Sequence, residues 1–220
     1  MFSEIENILF PDRCEVIHLG ASQRCLYPIM KNGSSSFYMQ IQYGKRPDWQ
    51  ILNQLDRDKI TFPLLTFIRN PRSRFVSGVN TYLQHLQRDF PHLDTKTILW
   101  FVDKYLFLNR HYCPQFFWLV NLARHFGNEV EIELKSMGDI QMYAGINHSA
   151  AVIPPTKEFL NEIQSFNWDK LELYFFLDQI LVDMIGQTVT FNDILQKVKQ
   201  QPILNNLILT PTFNLTDVLR

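Results

Sequence analysis

Residues 24–36 read RCLYPIMKNGSSS, a short apolar run followed by a turn that carries a lysine, a glycine and three serines. The apolar run over residues 24–29 is bounded by Pro28 and predicts a buried strand. The stretch NGSSSFYMQIQYG then predicts a turn that opens into a helix ending near Gly44. A strand, a turn and a helix in this order are typical of α/β folds, so this segment sets the expected fold class.

A second unit of the same kind begins at residue 59. The run KITFPLLTFI (59–68) is rich in β-branched and aromatic residues, as in the central strands of parallel sheets, although Pro63 disfavours the interior of a strand. Asn70 and Pro71 follow it as a cap residue and a proline at the first helical position. We therefore expect a strand that ends near Ile68 and a helix that begins at Pro71.

The other segments extend the same alternation. EVEIEL (129–134) predicts a strand, and helices are expected over residues 48–55, 94–108, 114–126, 136–145, 155–163 and 168–186. The fold class is therefore expected to be α/β: a P-loop-like three-layer fold with a central, mainly parallel sheet flanked by helices. Residues 1–220 are interpreted as one domain, with a nucleotide-binding core over about 24–135 and a helical part over about 136–220.

Charge and composition indicate which partners and locations the protein is expected to have. The formal net charge is −1, which argues against a general nucleic-acid binder because phosphate-backbone binding leaves a basic footprint. The three cysteines lack metal-ligand spacing and are interpreted as reduced thiols. No secretory signal and no apolar run of the roughly 20 residues needed to span a bilayer is found, so we expect a cytoplasmic protein without membrane insertion.

The turn after the first strand has the residues of an anion-binding loop. A helix N-terminus offers unpaired N–H groups, Gly33 permits close approach, Lys31 adds charge, and Ser34, Ser35 and Ser36 add hydroxyl groups. The alternative is an ordinary polar turn with serine N-caps. The order K-N-G-S differs from the phosphate loop of nucleotide kinases, in which lysine follows glycine.

The second unit adds positive charge at the matching position. Arg69 follows the strand, and Arg72, Arg74 and Ser77 lie in the first turns of the helix, where the macrodipole disfavours cations unless an anion compensates. The alternative is a solvated, basic helix start. Two anion sites at the carboxyl ends of two strands imply a ligand with two separated anionic groups.

These two motifs resemble those of the sulfotransferase superfamily. PIMKNGSSS (28–36) is similar to its 5′-phosphosulfate loop, and RNPRSRFVS (69–77) to its 3′-phosphate site, with the same interval of eight residues from Arg69 to Ser77. HYCPQ (111–115) and INHS (146–149) are similar to segments of the carbohydrate-type branch. Tyr112 departs from that branch's usual tryptophan, and no membrane anchor is found, which favours a soluble microbial or viral relative.

The resemblance implies the cofactor 3′-phosphoadenosine 5′-phosphosulfate (PAPS), with adenosine 3′,5′-bisphosphate (PAP) as product and no metal ion. Lys31 would bind the 5′-phosphate and bridging oxygen and stabilise the leaving group, and Arg69 and Ser77 would hold the 3′-phosphate. The cofactor-binding residues implied are Lys31, Asn32, Gly33, Ser34, Ser35, Ser36, Arg69, Arg74, Ser77, Asn147 and Ser149.

The resemblance also implies in-line transfer of a sulfuryl group to a hydroxyl or amine acceptor, with a carbohydrate as one option. His111 is the first choice for the base because its pKa range suits proton transfer, and the alternative is a cap or core histidine. His85 and His92 are weaker choices, and no glutamate can be assigned. Two other functions stay open: a small nucleotide or phosphate kinase, and an inactive PAP-binding protein.

Overall fold

The structure, a computed structural model, describes residues 14–32, 34–104, 111–145, 154–166 and 168–202. Its strands, in chain order, are β1 (Val16–Leu19), β2 (Cys25–Leu26), β3 (Trp49–Leu52), β4 (Leu64–Ile68), β5 (Glu131–Ser136) and β6 (Thr188–Thr190). They form one six-stranded sheet in the order β3-β1-β2-β4-β5-β6.

The sheet is mixed. Strands β2, β4 and β5 are parallel, with Leu26 opposite Leu65 and Leu65 opposite Glu133. Strand β1 pairs antiparallel with both β2 and β3, and β6 pairs antiparallel with β5. The parallel arrangement expected from the sequence therefore holds for β2, β4 and β5, whereas β1 and β6 run in the opposite direction. Strand β3 runs in the same direction as β2, but it pairs only with the antiparallel β1.

The helix expected over residues 48–55 is wrong. Residues Trp49–Leu52 instead form the edge strand β3, which pairs along its whole length with β1. Asp48, where the expected helix would begin, accepts a hydrogen bond through its carboxylate from the backbone N–H of Ala21 at 3.2 Å. A 3₁₀ segment, Gln54–Lys59, follows the strand and is capped by Asn53.

Helices connect the strands and cover the sheet. They are α1 (Ser34–Gln42), α2 (Pro71–Asp89), α3 (Thr95–Lys104), α4 (Gln115–Phe126), α5 (Ile140–Ala144), α6 (Lys157–Gln164), α7 (Asp169–Asp183) and α8 (Phe191–Lys199). Two starts and stops match the sequence signals: Asn70 caps α2 by accepting from the N–H of Ser73 at 3.0 Å, and Gly127 ends α4 at φ 90°. Strands β1 and β6 and helix α8 were not predicted.

The two faces of β4 show why helices lie on both sides of the sheet. All five residues of β4 are buried, and the four apolar ones are divided between two apolar clusters. Leu64 and Ile68 pack with residues of α4, α7 and α8, whereas Leu65 and Phe67 pack with residues of α1 and α5. A third cluster joins α2, α3 and α6. A strand buried on both faces reads as a continuous apolar run, as LLTFI does.

No helix in the described part of the chain combines the length and apolar character needed to cross a membrane. Cys14, Cys25 and Cys113 are free and buried, in agreement with the interpretation of the cysteines as reduced thiols. Burial raises the pKa of the Cys113 thiol to about 11, so this thiol is a poor nucleophile at neutral pH. Phe116, Phe117 and Trp118 are buried core residues.

Candidate functional site

The loops that follow β2 and β4 meet at one edge of the sheet. These two strands are parallel neighbours, so their carboxyl ends lie side by side. The first loop carries Lys31 and Asn32, and the second carries Arg69. The two loops are in contact, because the Nη1 atom of Arg69 donates a hydrogen bond to the backbone oxygen of Lys31 at 3.3 Å. The structure therefore brings together the two cations that the sequence places more than 30 residues apart.

Lys31 has an unusual backbone and a half-buried side chain. Its φ of 66° lies in the left-handed region, which costs a residue with a side chain roughly 1–2 kcal/mol. Its Nζ atom donates a hydrogen bond to the Oγ1 atom of Thr81 in α2 at 2.6 Å. Burial, and then the charges of Arg69 and Arg74, lower the pKa of Lys31 from its ordinary 10.5 to about 8.

Lys31 and Arg69 have no acidic partner in the part of the chain that the structure describes. The ion pairs seen there include those of Arg24, Lys59, Arg88 and Lys135. Burial, together with the charge of Arg74, lowers the pKa of Arg69 as well. The two side chains thus form a positive centre that lacks a described internal counter-charge, which is the electrostatic condition for binding an anion.

Both neighbouring helices, α1 and α2, begin at this centre without an acidic residue in the first turn at their N-termini. Ser34 and Ser36 are buried at the start of α1, whereas Ser35 is exposed. The macrodipoles of both helices add to the positive potential.

The three arginines near the start of α2 differ in exposure and in their contacts. Arg72 turns away and stacks on Trp168, with its Cζ atom 4.3 Å from the ring centroid. Arg74 is 1% exposed, and its Nε and Nη1 atoms donate to the backbone oxygens of Met30 and Cys113. The three arginines expected to converge on one anion therefore have different surroundings. Arg72 lies on Trp168, Arg69 is half-buried beside Lys31, and Arg74 is buried with its Nη2 atom without a described hydrogen-bond partner.

Gln115 connects the two loops beneath the cations. Its Oε1 atom accepts from the backbone N–H of Arg69 at 2.9 Å, and its Nε2 atom donates to the backbone oxygen of Arg69 at 2.9 Å. The Oε1 atom also accepts from the Nδ2 atom of Asn32. The side chain of Asn32 is buried, and its Nδ2 atom donates to the backbone oxygen of Phe67 at 2.7 Å as well.

Asp178 supports this arrangement from α7. Its Oδ2 atom accepts from the Nε2 atom of Gln115 at 3.1 Å, and its Oδ1 atom accepts from the N–H of Phe116 at 2.9 Å. Burial raises the pKa of Asp178, and the positive charge of Arg74 opposes that rise. This lone acid on an apolar helix face thus interacts with a basic neighbour and with the start of α4.

Four polar side chains form a stripe along one face of α2, which begins beside Arg69. Ser73, Ser77, Thr81 and His85 are spaced four residues apart and therefore lie along one face of the helix. Arg69 donates to the Oγ atom of Ser73 at 3.3 Å, and Lys31 contacts Thr81. Ser77, expected to bind phosphate, lies half-buried between these two contacts.

His111 lies at the far end of that stripe. Its ring is perpendicular to the ring of His85, with the centroids 5.5 Å apart. The backbone of His111 packs directly on Gly78, where an added Cβ atom would lie 2.1 Å from the oxygen of His111. His92 is exposed beyond the end of α2 and contacts Phe90 instead. The structure therefore groups His85 with His111 and separates His92 from them.

Two residues of the site were missed by sequence analysis. Thr81 gave no signal other than its spacing from Ser77, and Gln115 lay within HYCPQ without an assigned role. Gly33, Asn147 and Ser149 lie outside the described residues, so their expected roles stay predictions. Among the residues described, no group of three or more histidine, cysteine, aspartate or glutamate side chains could hold a metal ion.

Comparison with known proteins gives no relative: no protein-family model, no curated protein and no solved structure matches this chain. The function is therefore inferred from the site and from the two motifs.

Proposed function

We propose that this protein is a sulfotransferase that takes a sulfuryl group from PAPS and transfers it to a hydroxyl or amine acceptor. The observation that carries the proposal is the contact between Lys31 and Arg69 at the ends of two parallel strands. A donor with separate 5′ and 3′ anionic groups matches two cations without a described acidic partner, each beside a helix N-terminus. The similarity of both motifs to those of sulfotransferases supports the same choice.

A finer fold assignment belongs to this proposal. Strands β2, β4 and β5 supply the parallel centre of a P-loop-like, three-layer fold, and the Lys31 loop lies between β2 and α1, where such folds bind phosphate. The antiparallel strands β1, β3 and β6 would then be additions at the edges. A cytoplasmic location stays an expectation within this proposal.

Each residue of the site has a role in the proposed reaction. The donor, when bound, supplies an activated sulfuryl group. The ammonium group of Lys31 would stabilise the negative charge that grows on the leaving phosphate, a task for which a half-buried cation is effective. Ser34 and Ser36 would donate hydrogen bonds to the same phosphate, and Arg69 with Ser77 would hold the 3′-phosphate by charge and hydrogen bonding.

The acceptor side is assigned to the histidine pair. His111 would take the proton from the acceptor hydroxyl. His85, whose ring is perpendicular to that of His111, would stabilise the protonated His111 or act as the base in its place. A carbohydrate acceptor is proposed from the similarity of HYCPQ to the carbohydrate-type branch. Most of the rate is expected from positioning and charge stabilisation, as in phosphoryl transfer.

The first experiment is a thermal unfolding series with PAP and with ATP plus magnesium. We expect PAP at about 100 times its Kd to raise the unfolding midpoint by roughly 5–10 °C, and ATP with magnesium to have little effect. The series is repeated with Arg69→Ala. Arg72→Ala is its matched control, because Arg72 stacks on Trp168 outside the site. Stabilisation by ATP with magnesium alone would overturn the proposal in favour of a kinase.

The second experiment measures transfer. Labelled PAPS is incubated with a panel of glycans and small phenols, and labelled product is counted for wild type and for Lys31→Ala. We expect transfer to at least one acceptor class by wild type alone. PAP binding without transfer to any acceptor in the panel would count against the enzyme and favour an inactive PAP-binding protein.

A further inference from the structure

The backbone of Lys31 is held from both sides by buried side chains. A lysine with φ 66° is strained, and such a conformation persists only where neighbouring contacts enforce it. The flanking residues, Met30 and Asn32, supply those contacts. Each is bound by a different polar side chain from another part of the chain.

Arg74 holds the side of Met30. Its Nε atom donates to the backbone oxygen of Met30 at 3.1 Å, and its Nη1 atom donates to the backbone oxygen of Cys113. The planar guanidinium therefore links the Lys31 loop to the segment just before α4. Arg74 is 1% exposed and faces the charge of Asp178, and its Nη2 atom has no described hydrogen-bond partner.

Gln115 holds the side of Asn32. It accepts from the Nδ2 atom of Asn32, and it forms two hydrogen bonds with the backbone of Arg69, just past the end of β4. One buried amide thus sets the distance between the two cation-bearing loops. Asp178 in turn fixes the orientation of this amide by accepting from its Nε2 atom.

We propose that Gln115 is a positioning residue, which fixes the Lys31 loop through Asn32 and sets the spacing of Lys31 from Arg69 so that both cations engage one ligand. Gln115 itself would not touch the ligand, because its amide is fully occupied by the two loops and Asp178. This inference rests on the proposed function for the identity of the ligand. The hydrogen bonds from which it is argued are those of the free protein.

The test replaces the amide and keeps the volume. Gln115→Met removes every hydrogen bond of this side chain, and Asn32→Ala removes the same link from the loop side in a smaller change. Asn121→Leu is the matched control, because Asn121 is also buried in α4 but donates to the hydroxyl of Tyr27 at 3.4 Å. PAP affinity is measured by calorimetry. The titration of Lys31 in the free protein is followed by NMR of ¹³C-labelled lysine, assigned with Lys31→Met.

We expect Gln115→Met and Asn32→Ala to weaken PAP binding by about tenfold or more, as loss of a supporting residue does at other sites. In both variants the pKa of Lys31 should rise from about 8 toward its ordinary 10.5, because the loop leaves its buried place beside Arg69. Asn121→Leu should lower the unfolding midpoint and change neither quantity.

Unchanged PAP affinity and an unchanged Lys31 titration in the folded variants would overturn the inference. If Gln115→Met does not fold, Asn32→Ala decides it by the same two measurements. Failure of the wild type to bind PAP would overturn the proposed function alone, because the Lys31 titration in the free protein still tests the positioning role.

Discussion

The ammonium nitrogen of Lys31 lies 2.6 Å from the hydroxyl oxygen of Thr81, more than two helical turns into α2. This contact directs the lysine side chain along the stripe of α2 that carries Ser77 and His85. In the proposed reaction, the lysine thus lies between the residues assigned to the donor and those assigned to the acceptor. The contact also supplies an acceptor for a charge that burial disfavours.

The first prediction concerns Thr81. Thr81→Val removes the oxygen that accepts from Lys31, so the charged form of the lysine is less favoured and its pKa should fall below about 8. Thr81→Ser should restore the wild-type titration. NMR titration of ¹³C-labelled lysine measures both. Thr66→Val, which removes a buried hydroxyl without a described partner in β4, is the control. An equal pKa in Thr81→Val and wild type would show that the contact contributes nothing.

The second prediction concerns pH. Lys31 is charged below a pKa of about 8, so PAP affinity should be full at pH 7 and fall as the pH rises through 8. The other charged groups that face Lys31 are Arg69 and Arg74, and arginines stay protonated over this range. The phosphates of PAP lose their second protons near pH 6, below the window. Calorimetry from pH 7 to 9.5 measures PAP affinity, which should not change with pH over this range in Lys31→Met.

Lys31 should also make the stability of the free protein depend on pH, and this stability should rise with pH where PAP affinity falls. The pKa of Lys31 is about 8 when folded and near 10.5 when unfolded, so between these values the unfolded chain binds more protons. The contribution of Lys31 to stability should therefore rise with pH across this window. Urea unfolding of wild type and Lys31→Met at pH 7 and 9.5 measures this contribution as the difference in unfolding free energy between the two proteins. A difference between the two proteins that does not change with pH would contradict the prediction.

The third prediction separates binding from transfer. Arg69→Ala should weaken PAP binding by about 10- to 100-fold, the loss expected for one charged hydrogen-bonding group worth ~1.5–3 kcal/mol. Lys31→Ala should lower kcat by about 10²- to 10³-fold, more severely than it lowers PAP affinity, because its charge acts on the leaving group.

The exposed Arg72 provides the control for these variants. Arg72→Ala loses a stacking contact of about 0.5–1 kcal/mol with Trp168 and should leave PAP affinity near the wild-type value. Equal PAP affinity in wild type and Arg69→Ala would refute the role of Arg69.

The fourth prediction concerns Gly78. An added Cβ atom would lie 2.1 Å from the backbone oxygen of His111, so Gly78→Ala must push this segment away from α2. We expect a loss of about 1–3 kcal/mol in the free energy of unfolding and a reduced transfer rate. At Gly138 the nearest atom would be 3.5 Å away, so Gly138→Ala should change stability by less than about 0.5 kcal/mol. Chemical unfolding of both variants is the measurement.

Local signals predicted the elements that carry the cations. The apolar run before Pro28, the run LLTFI and the Asn70–Pro71 pair each act through nearby residues, and each was correct. Edge strand β3 was missed because WQIL becomes a strand through pairing with β1, which lies about 30 residues away in the chain. Strand β6 was missed for the same reason, since its three residues depend on β5. Edge pairing is a long-range contact that local propensity does not report.

Because strand and helix signals are local, the amino-acid sequence is enough to predict an α/β chain in which a lysine loop follows one strand and an arginine follows a later strand. The set of basic residues that share the site depends on how the chain folds. Burial assigns Arg74 to backbone oxygens, an aromatic ring takes Arg72, and the parallel neighbours β2 and β4 bring Arg69 to Lys31. The physical reason is that side-chain partners depend on contacts between distant segments, and the chain acquires these contacts only when its core packs.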